Sequence, residues 1–314
     1  MSRPQYKTVT RSQGNNQALK DGSVRPKTFD FVFEEVPVLV DGFRRMVRNL
    51  EFDISEMALT TYICAREHGK RFTALPIFLV RAFHHGAILV NVKAGIRTPK
   101  DLEGRRVGVN RGYTVTTGLW ARSVLQQEHG VDLSRVTWVL SGDEHVAEYQ
   151  PPSNVVPIEP GRKMADMLAS GELAAAIGIE LDHPDVRPLI AHAAQAGLEA
   201  LRQRGHYPIN HLMVVKDELL QAHPDLAADI FETFAESKRT YLERLRLGRI
   251  DKPTAMDELH RRVLAIKGDP LPYGIEPNRA VLQDVVDNCL TQKIITRAVQ
   301  VDQLFAPATH GLVA

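Results

Sequence analysis

The chain has 314 residues, 44% of them hydrophobic and 25% charged, with a formal net charge of +1. That length buries a large core and suits two lobes, while the near-zero charge gives no footing for nucleic acid. Cys64 and Cys289 are the only cysteines, one in each half, which predicts no disulfide framework and fits a reducing compartment. The first residues carry basic side chains but no apolar run. They predict no secretory signal, and hence a cytoplasmic protein.

Residues 6–11 alternate and are β-branched, predicting a first strand, and 15–19 form one helical turn stopped at Asp21 and Gly22. A second strand is expected over 29–36. Over 38–50, Leu39, Phe43, Met46 and Val47 fall on one helical stripe. Arg44, Arg45 and Arg48 lie mostly off it, Arg45 reading as a solvated helix charge. Residues 52–57 predict a strand running straight into a helix over 58–67, closed by Gly69.

Residues 75–91 read as an apolar strand, a polar interruption and a second apolar strand. Arg81, His84 and His85 stand at the middle, where charge is most expensive in a bilayer, so the run is no membrane span. Beyond it, Thr98 and Pro99 open a short helix over 98–104, 106–110 is a strand, and 113–129 is a helix ended by Gly130. A strand over 136–140 precedes a polar loop, 141–154, that contains Pro151 and Pro152. Expected next are a helix over 161–170, a buried strand over 173–179, a helix over 183–204 and a strand over 209–216. From Asp217 onward the pattern is helical, and no internal repeat appears.

The alternation of strand and helix predicts an α/β protein with largely parallel sheets and a helical C-terminal region. It suggests a discontinuous first lobe, 1–92 with 208–314, and an inserted second lobe, 93–207. Crossings near Asn91 and Tyr207 would make an inter-lobe cleft, a preferred place for a small-molecule site.

Several runs carry a resemblance. Glu-Phe-Asp-Ile-Ser-Glu-Met (51–57), Leu-Pro-Ile-Phe (75–78), Arg-Ala-Phe-His-His (81–85), Pro-Ile-Asn-His (208–211) and Asp-Pro-Leu-Pro-Tyr-Gly-Ile (269–275) are similar to the 4,5-dihydroxyphthalate decarboxylase family. The likeness extends over most of the chain. The run Asp-Leu-Glu-Gly-Arg-Arg-Val-Gly-Val (101–109) is shared with type II periplasmic binding proteins generally and speaks only to the fold. The resemblance implies a two-lobed type II periplasmic-binding-protein-like fold and a cytoplasmic carboxy-lyase that converts 4,5-dihydroxyphthalate to protocatechuate and CO2. The family usually has Arg-His where this chain has His84 and His85, and Pro-Glu-Tyr where it has Asn110, Arg111, Gly112 and Tyr113.

Decarboxylating an electron-rich ring needs a positioned acid and groups that hold the carboxylate. Histidine suits the first role and arginine the second. In an extended segment Arg81, Phe83 and His85 share one face, which favours His85 over His84 as the acid and Arg81 as the clamp. Histidines ending a strand and a structural ion pair are the plainer readings. Ser55 and Glu56 lie where a strand meets a helix, the place where open α/β sheets bind ligands. Glu56 suits accepting a phenolic proton or pairing with His85, or else simply stabilises a helix start.

Asn110, Arg111, Tyr113, Thr114, Thr116 and Thr117 open a helix after a strand, where backbone N–H groups and hydroxyls bind a carboxylate; N-capping by Thr114 is compatible with this. His211, near the second crossing, is either a third member of the site or a core histidine. Arg11 is a weaker candidate.

Nucleophile-elbow, Walker, dinucleotide and Cys-x-x-Cys signatures are missing from the sequence. A cofactor-free site is expected, with a divalent ion on His85, Glu56 and His211 as the other option. The expected ligand is a small aromatic carboxylate, with no nucleic-acid or membrane partner, and the C-terminal helices offer surface for a homodimer. A non-catalytic solute-binding protein on the same fold is the rival function.

Overall fold

The computed structural model describes residues 3–314, which divide into two units. The first contains the described residues up to Arg81, with Ile209–Gln283 and Val299–Ala314; the second contains Ala82–Pro208 and Asp284–Ala298. In chain order the first unit supplies β1 (Gln5–Val9), α1 (Gln17–Lys20), β2 (Asp30–Phe33), α2 (Leu39–Asn49), β3 (Ile54–Ala58), α3 (Leu59–Glu67) and β4 (Phe72–Arg81). The second follows with β5 (Ile88–Asn91), β6 (Arg106–Val109), α4 (Thr116–His129), β7 (Thr137–Leu140), β8 (Val155–Pro157), α5 (Met164–Ala169), β9 (Ala175–Ile177), β10 (Val186–Pro188) and α6 (Ala193–Arg204). The chain then returns to the first unit as β11 (Ile209–Lys216), α7 (Asp217–Ala222), α8 (Leu226–Arg246) and α9 (Ala255–Lys267), and α10 (Arg279–Thr291) runs across the unit boundary.

Among the described residues the first unit has a five-stranded sheet in the order β2-β1-β3-β11-β4. β1 is parallel to β2 and β3, and β11 is antiparallel to both β3 and β4. β1, β3 and β4 therefore all end at the edge where β11 begins. The core beneath is built from Ile54, Leu75, Ile77, Met213 and Val215 of the sheet, with Ile230, Phe231, Phe234, Tyr241, Leu242 and Leu245 of α8. Those α8 positions recur at three- and four-residue spacing, one helical stripe laid on the sheet.

The second unit has the order β10-β5-β9-β6-β7-β8. β9, β6, β7 and β8 are parallel, and β5 is antiparallel to β9 and β10. Met164, Met167, Leu168 and Leu173 pack against Val139 and Ala176. Arg122, fully buried, stacks 3.8 Å above the Tyr113 ring and donates to the Gln292 side chain at 2.7 Å. Gln292 in turn donates to the Leu119 carbonyl, and Tyr149 donates to the Lys293 carbonyl. These bonds tie residues 284–298 to the second unit.

The structure departs from the expected elements in four places. The sheets are mixed rather than largely parallel, because β11 enters the first sheet antiparallel and β5 the second. The two strands of 75–91 do not stay in one lobe: β4 pairs with β11 while β5 pairs with β9 and β10, so the first unit stops at Arg81 rather than near Asn91. The expected helix over 183–204 begins only at Ala193. Pro184 and Pro188 keep the chain before it extended, and Val186–Pro188 pairs with β5 as an edge strand. Finally, 284–298 belongs with the second unit instead of the helical tail of the first.

Candidate active site

In the first unit, Glu56 of β3 lies opposite Met213 of β11, and Ala58 lies opposite His211. Glu56 and His211 are thus diagonal neighbours on one face of an antiparallel pair, within reach of long side chains. They meet: His211 Nδ1 lies 2.7 Å from Glu56 Oε1. The other carboxylate oxygen accepts the Thr10 hydroxyl at 2.6 Å and the Arg11 backbone N–H at 3.2 Å. Thr10 and Arg11 directly follow β1, whose Val9 pairs with Ser55, so the parallel register carries them past Glu56. In this sheet the order β2-β1-β3 changes direction between β1 and β3, where open α/β sheets bind ligands beyond their strand ends.

Glu56 is completely buried, and a carboxylate in that position survives ionised only with partners. Burial alone pushes its pKa up. The His211 hydrogen bond and charge, the Thr10 hydroxyl and the Arg11 charge outweigh that, leaving the group below its ordinary range. An ionised Glu56 only accepts, so His211 donates from Nδ1, and Nε2 takes no part in that bond. The His211 side chain keeps 19% exposure, and the Phe43 ring of α2 meets it edge-on at 5.2 Å. The Tyr273 hydroxyl, fully buried and without a hydrogen-bond partner, has its pKa raised by burial and then by the charges of Asp269 and Glu56.

Ser55 projects to the opposite face of β3, and its hydroxyl donates to the Glu56 carbonyl at 2.7 Å. Arg81 ends β4 opposite Ile209 at the same sheet edge as His211. It is buried, and its guanidinium donates to the Asn278 side-chain oxygen. Asn278 is itself fixed by bonds to the carbonyls of Pro272 and Gly274.

The other expected residues lie in the second unit. His84 and His85 follow the end of β4 and leave the extended conformation, His85 opening a short 3-10 turn, so the alternation that grouped Arg81 with His85 does not apply. His85 is buried, with Nε2 3.0 Å from Glu128 Oε2 and Nδ1 unpartnered. Glu128 also accepts from Arg204 at 2.5 Å. Against burial, which acts the other way, the His85 and Arg204 hydrogen bonds pull the Glu128 carboxyl down to about 2.

The loop before α4 is already engaged. Glu144 takes the backbone N–H groups of Tyr113 and Thr114 and, at 2.7 Å, the Thr114 hydroxyl. Asn110 donates to the Gly178 carbonyl and accepts from Ser141, whose oxygen takes the Arg111 N–H at 2.7 Å. Arg111 adopts a left-handed φ of 69°. Thr116 is buried at the start of α4, and Thr117 is half-buried beside it.

Sequence reasoning offered Glu56 as an acceptor of a phenolic proton or a partner of His85; the structure pairs it with His211 and pairs His85 with Glu128. It also missed Thr10, Glu128 and Glu144. Thr10 had a faint signal, a threonine near the end of the strand expected over 6–11, whereas Glu128 and Glu144 look like any surface acid. Among the described residues no three His, Cys, Asp or Glu side chains converge as metal ligands, and no helix is long and apolar enough to cross a membrane.

Comparison with known proteins places the architecture first. The aliphatic sulphonate binding protein SsuA of Escherichia coli superposes with a TM-score of 0.55 at 13% identity, covering 99% of this chain and 100% of that one. The desulfurization enzyme DSZB superposes with a TM-score of 0.56 at 16% identity over 97% of each. The chain has the type II periplasmic-binding-protein-like α/β fold, on which both a binding protein and an enzyme are built.

In sequence it resembles the 4,5-dihydroxyphthalate decarboxylases. It is 29% identical to that of Comamonas testosteroni over 331 aligned positions, 98% of each chain. It is 35% identical to that of Pseudomonas putida over 173, covering 51% of this chain and 64% of that one. No family model matches.

Proposed function

We propose that this protein is a decarboxylase of a hydroxylated aromatic carboxylate, with 4,5-dihydroxyphthalate as its reference substrate and protocatechuate and CO2 as products. The end-to-end likeness to the Comamonas testosteroni enzyme supports the reaction class. The observation that carries the mechanism is the bond between His211 Nδ1 and a fully buried Glu56.

The Glu56 carboxylate fixes the imidazole ring and stabilises positive charge on it, so that Nε2 presents the transferable proton. His211 delivers that proton to the ring carbon bearing the departing carboxylate. The hydroxyl para to that carbon stabilises the protonated ring. The bond to the carboxylate carbon then breaks, CO2 leaves, and its electron pair restores aromaticity. Solvent returns the proton to His211. Arg81, at the same sheet edge and held by a neutral amide, is the proposed partner of a substrate carboxylate. A cytoplasmic setting is part of this reading and agrees with Cys64 and Cys289 standing outside any disulfide.

The test is incubation of the full chain with 4,5-dihydroxyphthalate and hydroxybenzoate analogues, following CO2 and product spectrum. Turnover with the first is expected. Binding without CO2 release across the panel overturns the reading in favour of a solute-binding protein.

A further inference from the structure

The face of Glu56 turned away from His211 is held by a short relay. The Asn16 side-chain amide donates to the Thr10 hydroxyl oxygen at 3.0 Å and to the Arg11 carbonyl at 2.9 Å, while its own oxygen accepts the Gln13 N–H at 2.9 Å. With an N–H already aimed at its oxygen, the Thr10 hydroxyl turns its proton to Glu56 Oε2, 2.6 Å away. Its other contact, with the Arg11 carbonyl, is a long 3.4 Å. Thr10, Asn16 and Glu56 are all buried, so no water competes for these bonds. The relay is built at Gly14, where any Cβ would run into the Tyr241 ring of α8.

We infer that Thr10, its hydroxyl oriented by Asn16, is a positioning residue that occupies one oxygen of Glu56 and thereby commits the other to His211 Nδ1. This rests on the proposed role of His211. The titratable or charged groups facing Glu56 are His211 on β11, Arg11 after β1, and Tyr273 after α9. None of them is within Thr10 itself, so changing Thr10 alters the carboxylate's aim without adding or removing a titrating group. A hydrogen bond to a buried charge shifts rates by about ten- to a hundredfold when lost.

The experiment compares Thr10→Val and Thr10→Ser in the full chain with 4,5-dihydroxyphthalate, alongside the NMR resonance of the His211 Nδ1 proton. Thr10→Val is expected to lower kcat about tenfold or more with KM little changed, to shift or broaden the Nδ1 proton, and to move the acid limb of the rate profile upward. Thr10→Ser is expected to restore all three. Should Thr10→Val not fold, Thr10→Ala, which leaves out the methyl forced against the carboxylate, carries the same expectation. An unchanged kcat and Nδ1 resonance overturns the inference, as does a loss that serine does not rescue. If His211→Asn keeps full turnover while Thr10→Val still moves the Nδ1 resonance, the proton-donor role fails and the positioning of Glu56 by Thr10 stands.

Discussion

His211 and Glu56 stand 155 positions apart in the chain and 2.7 Å apart in the structure, joined by the antiparallel pairing of β11 with β3. The register fixes the meeting, since a one-residue slip would send one of the two side chains to the other face of the sheet.

The first prediction separates the two histidines. His211→Asn keeps a donor near Glu56 but removes the proton carrier, and should lower kcat by about a hundredfold to ten-thousandfold. His85→Asn should leave most of the turnover, because Nε2 of His85 is spent on Glu128. Rates of CO2 release from the two variants decide between them; a larger loss at His85 would return the acid role to it.

Glu56→Gln keeps the shape and one acceptor but removes the charge. It should lower kcat about ten- to a hundredfold. The folded pKa of Glu56 lies below the ordinary 4.5, so its stabilisation is complete above that value and is lost as pH falls through the folded value. Denaturation curves of wild type and Glu56→Gln should therefore converge below pH 4.5, and parallel curves would contradict the assigned charge.

A third prediction concerns α8 and α9. The Tyr241 hydroxyl donates to Asp257 at 2.7 Å, so its oxygen accepts from His260 Nδ1 at 2.8 Å, leaving His260 Nε2 bare and unpartnered. Burial holds the ring neutral and lowers its pKa from 6.5 to about 4. The unfolded chain takes up that proton first as pH falls, so the contribution is whole above pH 6.5 and disappears by pH 4. It amounts to about 3 kcal/mol. The stability difference between wild type and His260→Gln should shrink by that amount between pH 7 and 4, measured by urea denaturation.

Gly112→Ala places a Cβ against the Glu144 carboxylate, pushing it off the N–H groups of Tyr113 and Thr114. A cost of about 1–3 kcal/mol is expected. Thermal unfolding of Gly112→Ala, alone and with Glu144→Gln, checks it: the second change should add little once the carboxylate has been displaced.

Much of the fold could be seen in the residues. The stripe of Leu39, Phe43, Met46 and Val47 marks α2, with Phe43, Met46 and Val47 buried. The boundary at residues 52–58 also stands where the pattern puts it. What periodicity does not encode is partner choice. The apolar runs on either side of residues 82–87 look like two arms of one hairpin, yet each finds a different sheet, because a run of buried aliphatics pairs with whatever strand the topology brings. The same blindness governs the site. Glu56 and His211 were both visible as candidates, but only a strand register could say which histidine meets which acid.

The placement of β11 has a consequence for biosynthesis. It lies between β3 and β4, yet the ribosome makes it more than a hundred residues after β4. A nascent chain that has released only its first 81 residues carries two strands with unzipped flanks and an acid, Glu56, still lacking its imidazole. The strand that completes that sheet is the one that delivers His211, so the filled sheet and the Glu56–His211 pair arrive in the same step of maturation.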